Sequence, residues 1–194
     1  MSIKTTSAVQ THDALRRLTL SAMFLAIGLI LPFFTGQIRE IGQMLSPMHL
    51  PVLLCGLVCG WQYGGLVGLI LPPLRSLLFG MPPIFPTATS MAVELAVYGV
   101  SIGLLYALFK KQNVWAVYLS LIPAMLLGRA AWGGTQVLLL GLQDTPFGWD
   151  AFLAGAFINA VPAIILQLVL IPAIMTMLHV TGALRFRGTG ESHD

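Results

Sequence analysis

This sequence predicts an all-α integral membrane bundle of six transmembrane helices with both termini in the cytoplasm. Three observations predict it. Of 194 residues, 57% are hydrophobic and 9% are charged, with a mean hydropathy of +0.86; a soluble domain carries about 25% charged residues. The apolar residues gather in six runs separated by short polar stretches. With the N-terminus placed inside, Lys4, Arg16, Arg17, Lys110, Lys111, Arg185 and Arg187 all face the cytoplasm. Only Arg39 clearly falls outside, beside Glu40, Asp144 and Asp150. That asymmetry follows the positive-inside rule, and six spans return the chain to the side on which it began. The net charge of +3 therefore reads as topology. It is not a nucleic-acid footprint, because the basic residues come in small groups between apolar runs.

The elements follow in order. Residues 1–15 form a polar tail with no signal-peptide cleavage pattern. The membrane domain covers 16–182, and 183–194 is a basic and polar C-terminal tail. The first span runs over about 16–35, followed by a polar loop over 35–46. The second apolar run, about 47–60, is short for a span, which needs about 20 residues. The third covers about 62–80, the fourth 86–109, the fifth 115–141 and the sixth 150–180. The junction Gly60-Trp61-Gln62-Tyr63-Gly64-Gly65 between the second and third is the least sharply marked. Ile122-Pro123-Ala124, Val161-Pro162-Ala163 and Ile171-Pro172-Ala173 place prolines within spans. They either kink helices around a cavity or belong to ordinary bundle packing.

Arg75, Glu94 and Arg129 lie in three different apolar runs. A charge inside a bilayer costs at least a few kcal/mol, so such residues face a partner or a task. Arg75 sits among five prolines over 72–86, which predicts irregular backbone near the outer face. Its planar fork suits a carboxylate, either Glu94 or an anionic solute. At 1.5 Å per residue, Glu94 lies about 12 Å and Arg129 about 18 Å below the outer ends of their spans. Tyr98 is one turn from Glu94 on the same face, Asn159 lies at similar depth, Gln136 is nearer the outer rim and Gln167 is deeper. His49 begins a proline-bracketed segment at the membrane edge, placed to meet a solute, close a gate or bond a backbone carbonyl. These groups line one outward-facing pocket, or else Glu94 and Arg129 form a structural pair. One more basic than acidic group slightly favours an anionic ligand.

Ala22 and Ala26, one turn apart, make a flat stripe that suits either a partner helix or internal packing. Cys55 and Cys59 share a face in an apolar run and read as small packed residues, not a metal or redox pair. No His-Glu-x-x-His motif, nucleophile elbow or Walker loop occurs. No catalytic residue, cofactor or metal is expected.

Ala22-xxx-Ala26, the run Met44 to Gly56 and the run Pro72-Pro73-Leu74-Arg75-Ser76-Leu77-Leu78-Phe79-Gly80-Met81-Pro82 carry a resemblance. The chain resembles the substrate-binding S components of energy-coupling factor (ECF) vitamin transporters, most closely across 42–100, and a subgroup of them associated with pantothenate. The resemblance implies a multi-pass subunit of a bacterial cell membrane. It implies capture of a vitamin from outside under the loop at 35–46, and docking through Ala22 and Ala26 onto a transmembrane coupling subunit. Two cytoplasmic ATPases then drive release by toppling the loaded subunit. The rival readings are a self-sufficient secondary transporter or channel for a small anion and, less favoured, an intramembrane enzyme.

Overall fold

The computed structural model describes residues 3–35, 46–141, 148–158 and 160–182. Among them there is no strand. Six main helices account for most of the described residues. α1 spans Ile3–Ile30 and tightens into a turn at Leu31–Thr35. α2 spans His49–Cys59, α3 Trp61–Phe79, α4 Thr89–Leu108, α5 Val114–Gly141 and α6 Val161–Val180. A wide turn at Ile84–Ala88 leads into α4, and a short helical segment, Trp149–Leu153 with Ala154–Ile158, precedes α6. The polar leader is helical from Ile3, so α1 starts well before the apolar run does.

Among the described residues, four helical stretches are long and apolar enough to cross a membrane: His12–Phe34, Ile84–Leu108, Val114–Gly141 and Val161–Val180. α2 is not one of them. Its 11 residues rise about 16 Å, against a hydrocarbon core of about 30 Å. Instead it is a central pillar: all of its residues except Val58 are buried. A helix that is apolar all round belongs inside a bundle. α1, α3, α4 and α6 each pack on it.

Gly60 makes the reversal from α2 to α3. Its φ of 99° and ψ of 168° lie in a region open almost solely to glycine. The two helices then run back to back so closely that a Cβ on Gly64 would sit 2.6 Å from the Gly56 Cα. α4 closes the same junction, because a Cβ on Gly99 would overlap the Gly64 carbonyl. Small residues thus bring three backbones together, which supplies packing where lipid removes the hydrophobic drive between helices. Outward, Leu66, Leu77, Leu126, Ile165 and Val169 are exposed, as a lipid-facing surface requires.

One expectation is corrected here. Arg75 does not ride on irregular backbone. Pro72 and Pro73 lie inside α3, and the helix continues to Phe79. Proline fixes φ near a helical value but removes a hydrogen bond and crowds the carbonyl one turn back, and the helix is held through both prolines by packing against α1 and α4. Irregular backbone begins later, with Gly80 left-handed (φ 70°) and Phe85 extended within the turn before α4.

Candidate functional site

Hydroxyl groups in the spans mostly bond back to their own helix. Ser120 donates to the Ala116 carbonyl at 2.7 Å, Thr135 to Ala131 at 2.8 Å, and Ser101 to Val97. This is the usual solution for a short polar side chain in lipid. The long polar side chains behave differently.

Glu94 on α4, Arg129 on α5 and His49 on the first turn of α2 converge. Arg129 Nη1 lies 3.3 Å and His49 Nε2 3.5 Å from the same Glu94 oxygen, Oε1. The three side chains are almost fully enclosed, at 2% exposure for His49 and Glu94 and 7% for Arg129. The helix directions bring them together. α2 and α4 run side by side in the same sense, with Gly56 against Gly99, so His49 meets residues near Glu94. α5 runs the other way, with Gly128 against Tyr98, which brings Arg129 to Glu94. Tyr98 completes the group: its ring meets the His49 ring edge-on at 5.3 Å. A Cβ on Gly128 would lie 2.7 Å from that ring, so the glycine beside Arg129 is the tyrosine's seat. Sequence reasoning missed Gly128; the only signal was its place next to a buried arginine.

The arrangement leaves hydrogen-bonding capacity unspent. Both His49 ring nitrogens, Glu94 Oε1, the Tyr98 hydroxyl, and Arg129 Nε and Nη2 are buried with no hydrogen-bond partner among the described residues. The Glu94 contacts are ion-pair distances without hydrogen-bond geometry. Buried polar atoms are almost always paired in folded proteins, so such a cluster is suited to a polar solute carrying both donors and acceptors. Gln136 lies on the same face of α5, seven residues and about 10 Å further towards its C-terminal end, with its Oε1 also buried and unpartnered among the described residues. Asn159 and the loop at 36–45 lie outside the described residues.

Arg75 is placed elsewhere. Gly68 of α3 abuts Leu95 of α4, and Gly64 abuts Gly99. That antiparallel register sets Arg75 level with residue 88, about 9 Å from Glu94 along the helices, towards the turn at Ile84–Ala88. Arg75 Nη1 donates to the Leu29 carbonyl at the end of α1. Its guanidinium lies 5.1 Å from the Phe33 ring centroid and 5.4 Å from that of Phe79. The three charges therefore do not form one cluster. The charge surplus that favoured an anionic ligand also disappears, because Glu94 balances Arg129 once Arg75 is apart.

Ala22 and Ala26 are both exposed on α1, while Gly28 turns inward against Leu71. Cys55 and Cys59 are free and buried. No group of three or more His, Cys, Asp or Glu able to hold a metal occurs among the described residues.

Fold and site together define an all-helical, multi-pass membrane protein that encloses a charged polar cluster between its helices. The family model described as ECF transporter, substrate-specific component, matches residues 16–178, and the chain belongs to that family. Neither curated proteins nor solved structures give a match. The family is one of transport, not of enzymes, and membership implies a transported solute and an ECF coupling module.

Proposed function

We propose that this chain is the solute-capturing subunit of an ECF-type importer in a bacterial cell membrane. It takes up a small vitamin from outside and hands it inward through a transmembrane coupling subunit driven by two ATPases. The observation that carries the reading is the shared Glu94 oxygen. Three helices bring a carboxylate, a guanidinium and an imidazole together in a buried place, within a chain of this family.

Pantothenate is the solute of choice. Its carboxylate suits the free edge of Arg129, its hydroxyls suit Glu94 and His49, and Tyr98 offers a further donor. A site in which Glu94 and Arg129 cancel favours a solute of low net charge over a multiply charged one. Arg75 is retained as a residue of the outer rim, where it ties the end of α1 to α3.

The topology has six membrane segments and cytoplasmic termini. α2 and α3 together form the second and third, joined at the Gly60 turn. Support comes from Arg17, which reaches that turn: its Nη1 lies 3.9 Å from a Cβ placed on Gly60, so the turn shares a side with the basic N-terminal pair. The exposure of Ala22 and Ala26 supports their role as the docking stripe.

The test is mass spectrometry of small molecules that co-purify with the detergent-extracted protein. Enrichment of pantothenate or another vitamin over a mock purification is the expected result. Enrichment of lipid alone would remove the reading.

A further inference from the structure

Gln167 is a buried polar side chain, among the described residues, that the cluster around Glu94 does not use. It is 0% exposed. It falls in the buried series Ala163, Gln167, Ile171 and Met175, one turn apart along α6. Its amide therefore faces the bundle and not the lipid. α6 packs on α5 and α2, the helices that carry Arg129 and His49. Neither Oε1 nor Nε2 of Gln167 has a hydrogen-bond partner among the described residues. The contrast on the same helix is Thr176, whose hydroxyl donates to the Pro172 carbonyl at 2.8 Å. An unpaired primary amide in an apolar interior is costly, and leucine, of nearly the same size, would fill the place without that cost.

We infer that Gln167 is a further solute-contacting residue, whose carboxamide reads an amide or carbonyl group on the bound solute. The inference rests on the importer reading and deepens it. A primary amide sets one acceptor beside one donor, which complements the N–H and C=O of another amide. Arg129 then addresses an acidic end of the solute and Gln167 an amide or carbonyl. A site built to hydrogen-bond a group discriminates strongly against analogues that lack it, because its own polar atoms are left unpaired. The solute class narrows accordingly to carbonyl-bearing molecules, and a solute with no carbonyl is disfavoured.

The experiment uses the full chain in detergent. Wild type and Gln167→Leu are titrated calorimetrically with pantothenate, biotin, riboflavin and thiamine, the last having no carbonyl. Thermal melting is recorded without solute. Wild type should bind a carbonyl-bearing member, and Gln167→Leu should bind that member about tenfold or more weakly. Without solute, the variant should melt no lower than wild type. Equal affinity in the two proteins would overturn the inference and leave the importer reading standing. So would a clearly lower melting temperature of solute-free Gln167→Leu, since the amide would then be bonded within the protein. Wild type that binds only thiamine also overturns it. Wild type that binds no member of the panel overturns this inference, and the importer reading then stands or falls on the solute that co-purifies.

Discussion

Removing one partner of the Glu94–Arg129 pair should cost far more than removing both. The facing atoms are 3.3 Å apart. At an effective dielectric of about 20, that separation corresponds to an attraction of about 5 kcal/mol. Desolvation opposes it, since both side chains are almost fully enclosed. The net worth of the pair over an apolar replacement is therefore near zero, whereas a lone buried charge costs about 3–5 kcal/mol. Arg129→Met strands the Glu94 carboxylate, with only His49 at 3.5 Å to answer it. Glu94→Leu strands the guanidinium. At about 2–4 °C per kcal/mol for a chain of this length, each single variant should melt about 6–20 °C below wild type. The double variant, Arg129→Met with Glu94→Leu, should melt within about 3 °C of wild type. The assay is thermal melting of the four proteins in one detergent without solute. Additive losses in the double variant would refute the reasoning, because they would mean that the two charges do not answer each other.

Three further outcomes follow from other parts of the fold. Ala22→Trp or Ala26→Trp should leave solute affinity within about twofold and abolish uptake in cells that carry the coupling subunit and ATPases; persistent uptake would place docking elsewhere. Gly99→Ala pushes a methyl into the Gly64 backbone and should destabilise by about 1–3 kcal/mol, whereas Gly134→Ala, with nothing within 4 Å, should be neutral in the same melting assay. Arg75→Met removes the bond to the Leu29 carbonyl and should lower stability by about 1.5–3 kcal/mol. Its effect on equilibrium solute affinity should be smaller than that of losing Arg129, since Arg75 stands apart from Glu94; an equal or larger loss would move the site outward.

Much of the helical layout is legible in the composition. The apolar runs at 47–60, 62–80, 86–109 and 115–141 coincide with α2, α3, α4 with the end of the turn before it, and α5, because each is bounded by glycine, proline or charge. The reading of the sequence left open a pairing of Glu94 with Arg129, and the two lie 3.3 Å apart. The role of Arg75 was not legible. Its acceptor is a main-chain carbonyl 46 residues away, and a carbonyl leaves no mark in a sequence. The prolines before it misled for a related reason, since proline weakens a helix locally while the packing that holds α3 together lies on α1 and α4. The central place of α2 was also hidden. Its shortness was plain, but only the glycine contacts to α3 and α4 show why a short helix belongs at the middle of the bundle.

The most direct measurement is a calorimetric titration of wild type and of the Arg129→Met, Glu94→Leu double variant with the solute that co-purifies with the protein. The two proteins should melt alike, and the double variant should bind that solute about tenfold or more weakly. A folded double variant with wild-type affinity would show that the solute lies elsewhere, and that Glu94 and Arg129 serve only to join α4 to α5.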